Sequence, residues 1–322
     1  MTSPQHPGAP ALTVVVPMFD EQDVLPLFVQ RLRAVLDGVG LDYEVLVVDD
    51  GSTDATPVLL ARERHTWPQL RVVRLRANAG HQAAISAGLE RARGELVVTI
   101  DADLQDPPEL IADMVRLARE EALDVVYAVR DDRSADTRFK RVTAGGYYDT
   151  MRRLGADHGP ANAGDFRLMT RATVDAVTAL PEHHRVLRLV VPSLGFPSGV
   201  LTYRRDERAA GRSKYPLSSM VRLALDSITG ASIAPLRLAT WLGFIGAAVA
   251  LGLLVYALVG YAVGLTVPGW TSTFMVVTAV GGVQLLCLGI LGEYVGRTYT
   301  MQLGRPTYYV AHDSLTGEDP PD

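Results

Sequence analysis

Between Arg237 and Glu293 the chain carries no Asp, Glu, Lys, Arg or His. An α-helix rises about 1.5 Å per residue and a bilayer's hydrocarbon core is about 30 Å thick, so about 20 apolar residues suffice to cross it. The stretch divides into Leu238–Val263, a Gly/Pro/Thr-rich break (GLTVPGWTST), and a second run over 273–291. Both runs are near or above crossing length, which predicts two transmembrane helices within 237–292. Arg222 and Arg237 stand before them and Arg297 and Arg305 after them, while the break is uncharged. The positive-inside rule then predicts an integral protein of the inner (cell) membrane with both termini cytoplasmic. The alternative, a helical hairpin buried in a soluble protein, requires two long charge-free helices inside one small domain.

The composition of the whole chain bounds its class further. A length of 322 residues with 48% apolar content supplies ample core and excludes general disorder. Lys and Arg total 31 against 36 Asp and Glu, a net charge of −5, which excludes the basic excess of a nucleic-acid binder. The one cysteine, Cys287, lies in an apolar run, so neither an internal disulfide nor a cysteine-ligated zinc is expected. The opening MTSPQHPGAP has no apolar core of the kind a secretory signal needs, and residues 1–11 are expected to be disordered.

From Leu12 onward strands alternate with helices. Leu12–Val16 is a short, continuously apolar run, as in a strand buried on both faces. Glu21–Leu36 has helical spacing, with Leu25, Phe28, Val29, Leu32 and Leu36 on one face. Strands are predicted at Tyr43–Val48, Leu70–Leu75, Glu95–Ile100 and Asp124–Val129, with helices at Asp54–Arg64, His81–Arg91 and Pro107–Glu121. This alternation predicts an α/β domain over 12–215, a mostly parallel sheet with helices on both faces. In such sheets the chemistry lies beyond the carboxyl ends of the strands.

Those ends carry carboxylates. The first strand leads into Pro17-Met18-Phe19-Asp20-Glu21, with neither a dinucleotide fingerprint nor a P-loop. The second ends in Val48-Asp49-Asp50-Gly51-Ser52-Thr53-Asp54. Here Asp50 is expected to bind a base or ribose, whereas Asp54 reads as a helix cap. The fourth ends in Asp101-Ala102-Asp103-Leu104-Gln105. In extended backbone residues i and i+2 point the same way, so Asp101 and Asp103 can converge on one Mg²⁺ or Mn²⁺, with Gln105 adding an oxygen. Asp106, Pro107 and Glu109 read as helix-start residues.

The segments VVPMFDE, VVDDGSTDAT, DADLQDPPE, GDFRLM (Gly164–Met169), RAAGRSKYPL (Arg208–Leu217) and GEYVGR (Gly292–Arg297) follow one another in this order. Together they resemble the inverting family 2 glycosyltransferases, whose fold is the Rossmann-like GT-A fold. Within that family the chain is similar to the polyprenyl-phosphate glycosyltransferases. These include dolichyl-phosphate mannose synthases and bacterial undecaprenyl-phosphate glucosyltransferases with two C-terminal membrane helices. The Gln-x-x-Arg-Trp segment of the family's processive polymer synthases does not occur. The resemblance implies that Pro17, Phe19, Glu21, Val48 and Asp50 line a nucleoside pocket. It implies that Asp101, Ala102, Asp103 and Gln105 surround a metal-bound diphosphate, and that Arg130, Arg208 and Lys214 meet phosphates. Asp165, in the GDFRL segment, would stand on the acceptor side as a catalytic carboxylate, with Asp101, Asp103, Arg208 and Lys214 completing the catalytic set. Implied partners are a nucleotide-sugar (a UDP-sugar favoured), a polyprenyl phosphate, the bilayer and further copies of the chain, a tetramer among them; nucleic acid is not one. Asp20 stands where the family usually has Asn, and Thr300, Met301 and Leu303 depart from the family's tail.

Transfer between two anionic substrates sets a physical demand. At an effective dielectric constant of about 20, two unit charges about 4 Å apart repel by about 4 kcal/mol, so cations must be supplied. Arg130 and Arg133 follow the fifth strand, and Arg204, Arg205, Arg208, Arg212 and Lys214 crowd a short stretch. The alternative for Arg204, Arg205 and Arg212 is a solvated face toward anionic lipid. A phosphate monoester has its second pKa near about 6, so the nucleophile is already charged and Asp165 is expected to orient the acceptor or handle its residual proton. The alternative for Asp165 is a buried ion pair with Arg167. Residues 216–236 read as an amphipathic juxtamembrane segment, His183–Leu194 as a second interfacial helix, and 293–322 as a cytoplasmic tail. Two other functions compete: transfer to a lipid hydroxyl, which would need a true base, and an inactive membrane scaffold, against which the intact aspartates argue.

Overall fold

The computed structural model describes residues 9–130, 160, 163–181, 185–203, 234–263 and 270–316. Its contacts divide the chain into two units, one formed by Met1–Ser213 with Pro306–Asp322 and the other by Lys214–Arg305.

The first unit is built on one eight-stranded sheet. In chain order its elements are β1 (Leu12–Met18), α1 (Leu25–Val39), β2 (Tyr43–Asp49), α2 (Thr56–Thr66), β3 (Leu70–Leu75), α3 (His81–Arg91), β4 (Leu96–Thr99) and α4 (Leu110–Glu120). There follow β5 (Val125–Arg130), β6 (Ala163–Thr170), α5 (Arg171–Thr178), α6 (Leu187–Ser193), β7 (Ser198–Tyr203) and, near the C-terminus, β8 (Val310–Asp313). The strand order is β7-β5-β6-β4-β1-β2-β3-β8. Strands β1 to β4 are mutually parallel, and β5 is parallel to β7. Two strands are reversed: β6, inserted between β4 and β5, and β8, on the free edge of β3.

Both faces of the sheet are covered, as the unbroken apolar runs require. Val14, Val16, Val45, Val47 and Val98 point to the face packed by α1 and α4, where Leu25, Phe28, Leu32, Leu36, Ile111 and Met114 are buried. Val15, Leu46, Val48, Val73 and Val97 point to the other face, against α3, α5 and α6. Helix α3 lies so close to β1 that a Cβ on Gly88 would stand 2.3 Å from Val15 Cγ1. The apolar side of α6 is also enclosed in this core, with Leu187 and Val191 each 1% exposed. The expectation of an interfacial helix over His183–Leu194 is therefore corrected, because these side chains already have a protein partner; residues 182–184 lie outside the described set.

The order of strands places the site. From β1 the chain winds outward through β2 and β3, then returns to β4 on the other side of β1, leaving a topological switch point between β1 and β4. Because β6 runs against β4, with Thr99 opposite Arg167, its N-terminal end lies at the carboxyl end of β4.

The second unit contains α7 (Ala234–Ala262, 29 residues) and α8 (Trp270–Gln302, 33 residues). The two helices touch, with Cys287 Sγ 3.4 Å from the Ala239 carbonyl oxygen. They present Trp241, Phe244, Leu251, Leu285 and Leu288 with more than half of each side chain exposed. Among the described residues one helical window, Ala279–Gly296, is long and apolar enough to cross a membrane, with a mean hydropathy of 1.5 and none of it buried. Helix α8 continues past residue 293, where a tail was expected to begin, and the chain then re-enters the sheet as β8. There Arg71 grips Asp313 through two bonds, Nε to Oδ1 at 3.0 Å and Nη2 to Oδ2 at 2.6 Å.

Candidate active site

Two loops at the carboxyl edge are locked together before any substrate arrives. Asp20, after β1, has φ 52°, a left-handed conformation that Asp and Asn tolerate better than most residues. Its Oδ1 accepts from the amides of Thr53 (2.8 Å) and Asp54 (3.3 Å), while its own amide donates to Ser52 Oγ (3.0 Å). An amide oxygen could accept the same bonds, which explains why Asp is compatible with a position expected to hold Asn. Asp54 Oδ1 accepts from Thr56 N at 2.9 Å, a turn bond rather than the expected cap, since the N-cap of α2 is Ala55 with no side-chain cap bond; its Oδ2 accepts from Gln22 N at 3.2 Å.

Asp50 is buried, and its two oxygens accept from Ala79 N (2.7 Å) and Gly80 N (2.9 Å) in the loop leading to α3. Burial raises its carboxyl pKa, and these two amides oppose the rise. Asp50 thus fixes the β3–α3 loop. Gly51, at φ 71°, allows the same approach, since a Cβ there would meet the Ala77 carbonyl carbon at 2.7 Å. Phe19 is 41% exposed, whereas Pro17, Val48 and Ala102 are buried, so their side chains offer no surface to a nucleoside. Glu21 meets the neighbouring loop through its amide, which donates to Thr56 Oγ1 at 3.0 Å.

Past β4, Asp101 Oδ1 and Gln105 Oε1 are buried without a hydrogen-bond partner among the described residues. Two enclosed, unsatisfied oxygens four residues apart on one loop fit a hard cation such as Mg²⁺ or Mn²⁺. Asp103 Oδ1 accepts from Gln105 N at 3.1 Å, which shapes the loop around the same point. No group of three His, Cys, Asp or Glu among the described residues could hold an ion; a Mg²⁺ or Mn²⁺ site commonly uses one or two carboxylates with substrate phosphates and water. Burial pushes the Asp101 carboxyl up to about 6; His81 pulls it down, and Asp165, Asp106 and Asp103 push it further up.

Asp165 opens β6 beside this loop. His81 Nε2, at the start of α3, lies 3.2 Å from Asp165 Oδ2 and 3.5 Å from Asp101 Oδ1, so one ring nitrogen faces both carboxylates. Gln82 Nε2 donates to Asp165 Oδ2 at 3.0 Å, and Arg167 Nη2 to Oδ1 at 3.2 Å. Burial works to raise the Asp165 pKa, but the His81 hydrogen bond and the charges of Arg167, His81 and Arg188 hold it well below the usual carboxylate range. His81 is raised in turn: burial opposes its charge, and Asp165 and Asp101 more than compensate.

Arg130, at the end of β5, bonds the Tyr203 hydroxyl (3.2 Å) and lies 3.6 Å from Asp106 Oδ1, which also accepts from Tyr203. The expectation that Asp106 caps the next helix is thereby corrected. Glu109 likewise does not form a capping box; both its oxygens accept from Arg31 of α1, at 2.7 and 2.9 Å. Arg208 and Lys214, with Arg133, Arg204, Arg205 and Arg212, lie outside the described residues. Sequence reasoning passed over His81, Gln82 and Tyr203. The first two had a legible signal, since RANAGHQ begins at the carboxyl end of the third strand.

Residues 13–178 match the model of glycosyl transferase family 2. The chain is 39% identical over 301 residues to the uncharacterized glycosyltransferase YkcC of Bacillus subtilis, covering 92% of each protein. It is 34% identical over 303 residues to the bactoprenol glucosyl transferase of Shigella phage SfV, covering 94% of this chain and 98% of that one. Among solved structures, glucosyl-3-phosphoglycerate synthase from Mycobacterium tuberculosis, crystallised with Mn²⁺, uridine diphosphate and phosphoglyceric acid, shares the fold. Its TM-score is 0.52 at 22% identity, over 69% of this chain and 77% of that one.

Proposed function

Since the chain belongs to glycosyl transferase family 2, we propose that this glycosyltransferase moves a single sugar from a nucleotide-sugar, UDP-linked in the first instance, to a polyprenyl phosphate. The observation that carries this reading is the pair of unsatisfied oxygens on Asp101 and Gln105 beside the ionised carboxylate of Asp165. A diphosphate leaving group and an acceptor need this arrangement of a cation seat next to a separate anionic centre. The name of the phage relative, a bactoprenol glucosyl transferase, supports the acceptor class.

Asp101, Asp103 and Gln105 would hold a Mg²⁺ or Mn²⁺ ion, which when bound neutralises the diphosphate as it departs. The sugar's anomeric carbon exchanges its bond to the donor phosphate oxygen for one to the acceptor phosphate oxygen, and the nucleoside diphosphate leaves. Because the acceptor is largely dianionic at neutral pH, no proton has to be removed. That suits Asp165, which is too acidic to be an effective base. A carboxylate that stays charged can instead favour the positive charge developing at the anomeric carbon. Arg130, with Arg208 and Lys214, would offset the combined negative charge of the two substrates.

The membrane assignment is supported by parity. Strand β8 pairs with β3 although α7 and α8 lie between them in sequence, so the chain must return to the side it left. A single crossing would separate β3 from β8, so a chain in which the apolar window of α8 crosses must cross a second time, and α7 is the helix available for it. This supports a hairpin with the catalytic unit on the cytoplasmic side, where Arg297 lies near the end of the second helix and Arg305 follows it.

The test is a donor screen on detergent-solubilised protein with Mn²⁺, polyprenyl phosphate and a panel of UDP- and GDP-sugars, read by mass spectrometry of the lipid. A monoglycosyl phosphoprenol that disappears with EDTA and in Asp103→Ala is expected. Sugar appearing only on lipid hydroxyls would overturn the proposed acceptor.

A further inference from the structure

Building on the reading of Asp165 above, we propose that Gln82 is a positioning residue that sets the aim of the Asp165 carboxylate through a closed ring of hydrogen bonds. Gln82 Nε2 donates to Asp165 Oδ2 at 3.0 Å, and its Oε1 accepts from the amide of Leu187 at 3.1 Å. The Leu187 carbonyl accepts from Arg167 Nη1 at 2.9 Å, and Arg167 Nη2 returns to Asp165 Oδ1 at 3.2 Å. Gln82 of α3 and Arg167 of β6 therefore hold the two carboxylate oxygens from different sides, and Leu187 at the start of α6 ties the two together.

The ring fixes its own polarity. The Leu187 amide can only donate and an ionised carboxylate can only accept, so the Gln82 amide satisfies both in one orientation and neither if turned over. It donates to Asp165 without bringing charge, which neither His81 nor Arg167 can do when protonated. The anchors are firm: Arg167 is 1% exposed, with its guanidinium 5.7 Å from the Tyr127 ring centre, and Leu187 is 1% exposed at the head of α6. Thr99 Oγ1 donates to the Asp165 carbonyl and fixes the backbone as well. With Arg167 and Leu187 buried, Gln82, which is half-buried, is the supporting member whose side chain can be changed without opening the core.

Two variants of the full-length protein distinguish aim from packing. Gln82→Glu has almost the same shape and still accepts from Leu187, but at neutral pH it cannot donate to Asp165 and sets a like charge against it. Gln82→Ala removes both bonds. Turnover at saturating donor and acceptor is expected to fall by about 100-fold in both, the scale of a misplaced reacting group. Donor KM should stay within about twofold, since uniform binding is untouched. Wild-type turnover in Gln82→Glu alongside a loss in Gln82→Ala would reduce the residue to a spacer and overturn the proposal. So would a donor KM that rises as far as turnover falls. The wild-type product tests the acceptor separately: if the sugar appears on a lipid hydroxyl, the function proposed above fails, and the same ratios measured on that product still decide the role of Gln82.

Discussion

Asp101 and Asp165 stand within reach of one imidazole nitrogen and yet are driven in opposite directions, one up to about 6 and the other well below the ordinary range. The difference is their company. Asp165 has Arg167, His81 and Gln82 on its oxygens, whereas Asp101 keeps a buried oxygen with no hydrogen bond. This asymmetry fits the proposed roles, a cation seat at Asp101 and a carboxylate at Asp165 whose pKa is held low by its partners. Because Asp101 must lose its proton to bind, Mn²⁺ affinity should be level above about pH 7 and fall about tenfold per unit once the pH drops below about 6. Titration calorimetry in buffers of different ionisation enthalpy would detect the accompanying proton release; affinity unchanged down to pH 5 would contradict the assignment.

Among the elements, closeness of packing limits what can be substituted. Gly88 lets α3 rest on β1, and a methyl group there would meet the side chain of Val15, itself fully buried and β-branched. Gly88→Ala should destabilise the protein by about 1–3 kcal/mol, the usual cost of overpacking, and should lower the melting temperature in detergent. It should also displace the start of α3, which carries His81 and Gln82. The same element shows what was legible in the sequence. Its bounds, and those of β3, follow directly from apolar spacing, because a strand covered on both faces and a helix on its surface leave distinct periods. Reversed strands leave no such mark: β6 and β8 are defined by partners far away in the chain. Residue type misled for the same reason at Asp106 and Glu109. An acidic residue before a helix is a cap by local logic, but here Tyr203, Arg130 and Arg31 arrive from other elements and take its oxygens. The carboxylate loop after β4 was legible because Asp101 and Asp103 are neighbours in sequence; the ring through Gln82 and Leu187 was not, since it joins three distant segments.

At the scale of the molecule, the catalytic unit is discontinuous, and its last strand joins β3 through a backbone ladder and the Arg71–Asp313 ion pair. Burial works against the Asp313 charge, but Arg71 holds its pKa below the ordinary value of 3.8. A depressed carboxyl pKa contributes stability above that ordinary value and loses it as pH falls through the lower, folded one. Hydrogen exchange over 310–316 should therefore be slow at pH 5 and above and accelerate, after correction for intrinsic rates, below about pH 4. Arg71→Ala should produce the same loosening at neutral pH by stranding a largely buried acceptor, at a cost of about 1–3 kcal/mol. Unchanged exchange in that variant would mean that the strand is held by its backbone ladder alone.

The pairing of β8 with β3 also sets a timetable. A ribosome completes β3 early and reaches β8 only after α7 and α8 have been made. At about 5–20 residues per second, the edge of β3 waits roughly 10–50 s for its partner. During that interval the nascent domain has an open strand edge, and the segment that closes it follows the helices proposed to enter the bilayer. On the proposed reading, insertion and completion of the enzyme follow a fixed order: the sheet is finished last, at the membrane that would hold its lipid substrate.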